Sequence, residues 1–194
     1  RYTFAAGSSP IDPAYDGQDL YVPLLIPGRV AVIRARTGRL VRTVMLDASL
    51  PFPSSAAYDG TKVWVTTAQG VAIIDTEDGS FVTYDFGVQN RGITICNGYA
   101  YIASPAIGQV FALPINTTTG VAAQTWVIPS CNGIASDGTG VFVSSTSTGT
   151  IYRLTGTNAL ASPVRVTGGQ PRRIVVAGDS AYVADGATNK IYSF

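Results

Sequence analysis

A block that opens on an Asp-Gly turn and continues into two short apolar runs recurs along this chain, and its clearest copy is AYDGTKVWVTTAQGVAIIDT at residues 57–76. Asp59-Gly60 supplies the turn, Val63-Trp64-Val65-Thr66 is a β-branched and aromatic run, and Val71-Ala72-Ile73-Ile74 is a second run after Gln69-Gly70. Two adjacent strands are the reading. Similar blocks stand at Asp16-Gly17 with Leu20-Tyr21-Val22, Asn97-Gly98 with Ala100-Tyr101-Ile102, Asp137-Gly138 with Val141-Phe142-Val143, and Gly178-Asp179 with Ala181-Tyr182-Val183. A period of about 40 residues is that of a propeller blade rather than of a helical solenoid.

Taken in order, the first blade is expected at 11–15, 20–25, 30–36 and 40–46, and the second at 54–58, 63–67, 71–75 and 81–86. The third runs through 92–95, 99–103, 109–114 and 123–128, with an enlarged loop at 116–120. The fourth uses 133–135, 141–145, 150–154 and 164–167. A fifth begins at Arg173-Ile174-Val175-Val176, continues through 181–184 and reaches Lys190-Ile191-Tyr192-Ser193-Phe194, which aligns with the third strand of the fourth blade. The last blade is thus one strand short, while Tyr2-Thr3-Phe4 forms an alternating segment to spare. Because a circular array needs its sheet edges covered, this segment is expected to pair beside Ile191–Phe194 and close a ring. The same pairing made with a neighbouring subunit would build a polymer instead. The whole chain, 1–194, is read as a single all-β domain, a five-bladed propeller of four-stranded blades closed by the N-terminal strand.

Charged residues make up only 13% of the chain, against about 25% in an average soluble domain. The surface is therefore expected to be neutral and rich in hydroxyls, which suits an extracellular or cell-surface setting or a surface covered by neighbours. A net charge of +1 gives no field that would steer the protein to nucleic acid. No apolar run reaches the length of a membrane span, and residues 1–4 read as neither a signal peptide nor an anchor. Asn116-Thr117-Thr118 is an N-glycosylation sequon in a turn-like segment, relevant for a eukaryotic secreted protein. Repeat register places Cys131 before its blade's innermost strand and Cys96 at the far end of the preceding one, too far apart for a disulfide. Buried or free thiols are expected, with pairing between subunits as the lesser alternative.

The second-strand motifs Val63-Trp64-Val65-Thr66-Thr67 and Ala181-Tyr182-Val183-Ala184-Asp185, with Val71-Ala72-Ile73-Ile74-Asp75-Thr76 on a third strand, resemble the YVTN-type propeller repeat family. NHL and gluconolactonase-like propellers are similar in general style. The resemblance implies a propeller fold and a choice among surface-layer protein, binding module and, less often, enzyme.

Histidine is absent, which removes the commonest general base, zinc ligand and nucleophile-activating partner. A metal-dependent lactonase of the gluconolactonase kind needs carboxylates at the central mouth, whereas Glu77, the only glutamate, falls in an outer hairpin. No catalytic residue, cofactor or metal site is therefore assigned. The residues opening the innermost strands, Asp12, Ser54, Arg91, Asn132 and Arg172, are the candidates for the mouth. Arg91 and Arg172 could clamp a carboxylate, sulfate or sugar acid, with Ser54 and Asn132 adding neutral hydrogen bonds; alternatively the arginines tie strand ends together, with Asp12 as an ion-pair partner. Asp75-Thr76-Glu77-Asp78-Gly79 has calcium-loop acidity without calcium-loop spacing, so a hairpin turn explains it. The aromatics Tyr21, Trp64, Tyr101, Phe142 and Tyr182 occupy equivalent places, as packing between sheets requires and as a sugar-stacking series would also show.

The functional expectation is a non-enzymatic structural propeller that contacts other protein subunits in a self-assembled array. The alternative is a glycan- or small-anion-binding module, with a lactonase-like hydrolase third. Mean hydropathy of +0.23 favours the first, being high for a fully solvated small domain.

Overall fold

The computed structural model describes residues 2–154 and 162–194. The chain divides into two compact units, residues 1–90 and 91–194. In the first unit, β1 (Ala14–Tyr15), β2 (Asp19–Leu24), β3 (Arg29–Arg34) and β4 (Arg39–Met45) form one antiparallel sheet in chain order. A second such sheet holds β5 (Ser55–Tyr58), β6 (Lys62–Thr66), β7 (Gly70–Asp75) and β8 (Phe81–Asp85).

The second unit repeats the plan. Its first sheet holds β9 (Gly92–Cys96), β10 (Tyr99–Ser104), β11 (Gln109–Pro114) and β12 (Gln124–Val127), and its second holds β13 (Cys131–Ser136), β14 (Val141–Ser145), β15 (Thr150–Leu154) and β16 (Ser162–Val166). The third has β17 (Pro171–Ala177), β18 (Ser180–Asp185) and β19 (Lys190–Ser193). Pro13 lacks an amide hydrogen, and the expected first strand at 11–15 is reduced to the two residues of β1.

The Asp-Gly turns work as local geometry. Asp16 Oδ1 accepts from the amides of Gln18 and Asp19 at 2.8 and 2.7 Å, Asp59 Oδ1 from Thr61 and Lys62 at 2.8 and 2.7 Å, and Asp137 Oδ1 from Thr139 and Gly140 at 2.7 Å each. The glycine after each aspartate has positive φ, +106° at Gly60 and +84° at Gly138, a conformation that costs glycine no steric clash.

Sheets pack face to face through the apolar residues that alternation puts on one side. In the first unit Tyr21, Val30, Val32 and Val44 of one sheet lie against Val63, Val65, Ala72 and Ile74 of the other. In the second unit Ala103, Val110, Ala112 and Trp126 meet Val141, Val143 and Leu154. On the other side of that middle sheet, Phe142 and Ile151 meet Ile174, Ala181 and Val183. The equivalent aromatics are mostly core: Tyr21, Trp64 and Phe142 are buried, and Tyr101 stacks 5.7 Å from Trp126. Tyr182 is the exception, at 43% exposure.

Two glycines permit the close approach of inner strands in the second unit. A Cβ on Gly133 would stand 1.9 Å from the Arg172 carbonyl oxygen, and one on Gly92 would stand 2.8 Å from the Asn132 carbonyl oxygen. Ser144 secures the first of these approaches, its hydroxyl accepting from the Gly133 amide at 2.8 Å and donating to the Arg172 carbonyl at 2.7 Å.

The expected closing strand requires correction. Residues 2–4 form no strand, and among the described residues β19 is the outer strand of a three-stranded sheet. Tyr2 and Phe4, ring centroids 5.0 Å apart and edge to face, pack instead on the side of the first sheet formed by Val22, Leu24, Ala31 and Ile33. Covering that apolar face removes more hydrocarbon from water than one short edge pairing would.

Cys96 and Cys131 are buried and unlinked. The Cys131 Sγ donates to the Gln109 carbonyl at 3.1 Å, and burial pushes its thiol from 9.0 up to about 12. Burial likewise raises the Tyr21 hydroxyl to about 12.

Gly133→Ala is expected to lower stability by about 3 kcal/mol, because the obstructing atom is backbone and cannot rotate away; urea denaturation of the two proteins measures it. The raised thiol and phenol give a second expectation. Between pH 9 and 12 the unfolded chain releases protons that the folded chain retains, so stability should hold below pH 9 and fall across that window. Denaturation midpoints against pH, with a shallower fall in Cys131→Ala, check this.

Candidate functional site

The five residues expected at a mouth fall into separate environments. In the first unit, Asp12 Oδ2 accepts from the Ser55 hydroxyl at 2.9 Å, and the Asp12 carbonyl accepts from the Ala56 amide at 3.0 Å. Ser54 donates its hydroxyl to the Asn90 carbonyl at 3.1 Å and lies 3.1 Å from Thr66 Oγ1. Asp12 and Ser54 therefore flank the start of β5 and are committed to holding it. Asn90 is 1% exposed and donates through Nδ2 to the carbonyls of Val88 and Gly70 at 2.8 and 3.3 Å.

In the second unit, Arg91, Asn132 and Arg172 come at the starts of β9, β13 and β17. Arg91 immediately precedes β9, and its amide donates to the Ala103 carbonyl at 2.9 Å. Asn132 and Arg172 sit in equivalent bulges, where the pairing of β13 shifts between Cys131 and Ile134 and that of β17 between Pro171 and Ile174. The Arg172 side chain crosses the turn at Gly186, where an added Cβ would stand 2.9 Å from its Nε. Arg91 and Arg172 are exposed and Asn132 is half-buried. Successive inner strands thus present guanidinium, carboxamide and guanidinium, groups suited to hydrogen-bonding an anion or a sugar hydroxyl.

A row of polar groups at the ends of the second strands went unread in the sequence. Thr67, Ser104, Ser145 and Asp185 occupy equivalent places and are all buried. Thr67 Oγ1 accepts from the Gly70 amide at 3.0 Å. Asp185 Oδ1 accepts from the amides of Thr188, Ala187 and Gln170 at 2.9, 3.0 and 3.1 Å. Burial alone would raise its carboxyl, but these amides and the Thr167 hydroxyl prevail and hold it at about 2. The signal was available as the switch from apolar to hydroxyl residues in Val65-Thr66-Thr67 and Val143-Ser144-Ser145. Thr67 and Asp185 Oδ1 tie turns to strands, while Asp185 Oδ2 is buried without a hydrogen-bond partner among the described residues.

The acidic segment 75–79 is the β7–β8 hairpin. Asp75 Oδ1 accepts from the Glu77 amide at 2.9 Å, Asp78 Oδ1 from the Ser80 amide at 2.7 Å, and the Arg42 guanidinium donates to the Thr76 and Glu77 carbonyls. Among the described residues no three or more His, Cys, Asp or Glu side chains converge as metal ligands. Asn116 is exposed in the turn after β11.

No family model and no curated protein matches the sequence. Solved structures do match in fold. A chain of a nidogen–laminin complex aligns with a TM-score of 0.78 at 15% identity over 96% of this chain and 76% of its own. A chain of the mitotic checkpoint complex aligns at 0.83 and 15% identity over 99% and 63%, and streptogramin B lyase at 0.78 and 18% over 98% and 66%. The chain therefore spans about two thirds to three quarters of the length of these structures. The fold is all-β, made of four-stranded antiparallel sheets of β-propeller type in about five blades.

Proposed function

We propose that this chain is a YVTN-type repeat propeller acting without catalysis as a structural subunit, extracellular or on a cell surface, that joins copies of itself through protein contacts. The observation carrying this reading is the uncovered face of the β17–β19 sheet. Val175, Tyr182 and Ile191 are 60%, 43% and 74% exposed. By repeat register Tyr182 and Ile191 correspond to Phe142 and Ile151, which are 8% and 0% exposed beneath the neighbouring sheet. An apolar face built for sheet packing, beside the outer strand β19, is a surface for another sheet. A second copy of this chain is the occupant in this reading.

A binding role at the inner strands is the second reading, and the exposure of Arg91 and Arg172 on elements of the same unit favours it. The hydrolase reading has the least support, since the single glutamate lies in the β7–β8 hairpin and the sequence contains no histidine.

Sedimentation velocity over a wide concentration range should show association of the wild type and its loss in Tyr182→Lys/Ile191→Lys, with circular dichroism unchanged. A wild type that stays monomeric throughout, as when further chain or another partner covers this face, overturns self-assembly. For the second reading, calorimetric titration with a panel of glycans and sugar acids should show binding that Arg91→Ala and Arg172→Ala each weaken by about tenfold. A panel with no binding member removes that reading.

A further inference from the structure

We propose that the β3–β4 hairpin carries a binding site for a tetrahedral oxyanion, the phosphate or sulfate ester of a small organic ligand. Residues 20–46 contain Arg29, Arg34, Arg36, Arg39 and Arg42 and no acidic residue. This is a strong local bias in a chain whose net charge is only +1. Arg42 is engaged by the carbonyls of Thr76 and Glu77. The others are not equally satisfied.

Strand register puts Asp19, Arg34 and Arg39 in one row across β2, β3 and β4. Arg34 Nε reaches Asp19 Oδ1 at 2.8 Å, and among the described residues this is the hairpin's one ion pair. Two arginines thus stand on directly opposed positions with one carboxylate in their row, and that carboxylate is engaged by Arg34; like charges so placed repel, and a further anion relieves the repulsion. Arg36 adds a third cation from the turn. That turn is fixed by the amides of Thr37 and Gly38, which donate to the Arg34 carbonyl at 3.2 and 2.8 Å, and by the positive φ of Gly38, +69°.

Arg34, Arg36, Thr37, Arg39 and Val41 line a cavity of about 410 Å³, within the range for small-ligand pockets. Guanidinium forks match the oxygens of phosphate and sulfate and donate two parallel hydrogen bonds to each. The Thr37 hydroxyl is a further donor, and Val41, 44% exposed, offers an apolar wall for the organic part of an ester. Another cavity, about 290 Å³, includes Asp137 and Asp179 in its lining and would repel the same ligand. The hairpin site belongs wholly to the first unit and is independent of Arg91 and Arg172 in the second.

Calorimetric titration at low ionic strength with phenyl phosphate, phenyl sulfate and benzoate tests the proposal on the wild type, Arg36→Gln/Arg39→Gln and Arg172→Gln. The expected result is binding of phenyl phosphate, phenyl sulfate or both in preference to benzoate. That binding should weaken about tenfold or more in the hairpin variant and stay unchanged in Arg172→Gln. Binding of one ester alone names the source; binding of both assigns the shared oxyanion. No binding of either ester, equal binding of benzoate, or an affinity indifferent to the hairpin substitutions overturns the proposal. A loss confined to Arg172→Gln also overturns it and moves the anion to the inner strands.

Discussion

Sheets stacked face to face have to come close enough for their side chains to interlock, and in the second unit this rests on close approaches between backbones at glycine. Gly133 faces the Arg172 carbonyl with no room for a side chain, and the Ser144 hydroxyl bridges the two groups. Beside that contact Phe142, Ile151, Ile174 and Val183 fill the space between the two sheets. Separating the inner strands would lose the dispersion contacts of that cluster.

The functional surfaces follow from this division of labour. Polar groups near the inner strands are largely consumed by the structure: Ser54, Thr66 and Asn90 serve one another, and Asp185 serves three amides. Arg91 and Arg172 are exposed near the inner strands, and the β3–β4 hairpin adds a local concentration of arginine. Groups already satisfied by backbone partners are poor ligands for anything else, because a newcomer must displace a hydrogen bond to gain one. The uncovered Val175, Tyr182 and Ile191 have no such competitor.

The strands and turns were legible because their signals are local. An aspartate before a glycine declares its turn through its own side chain, and a Val-Trp-Val-Thr run declares a buried strand, so the boundaries of β6 and β7 fall within a residue or so of the expectation. The fate of Tyr2 and Phe4 was not legible, since an alternating aromatic pair fits an edge strand and an apolar face equally well until both destinations are seen. Arg91, Asn132 and Arg172 could be placed in register by their neighbours Gly92 and Gly133, but register does not say where a long side chain ends. The hairpin arginines carry no periodic signal, because only one repeat possesses them.

Within each unit the backbone ladders stop at the boundary of each sheet, and neighbouring sheets hold together chiefly by side chains. Such an architecture distributes cooperativity by adjacency: in the second unit β13–β16 is packed on both faces, whereas β17–β19 has Val175, Tyr182 and Ile191 exposed. Local opening, and with it amide exchange and proteolytic nicking, is then graded within the second unit, with β17–β19 fraying before the core of β13–β16 beside it.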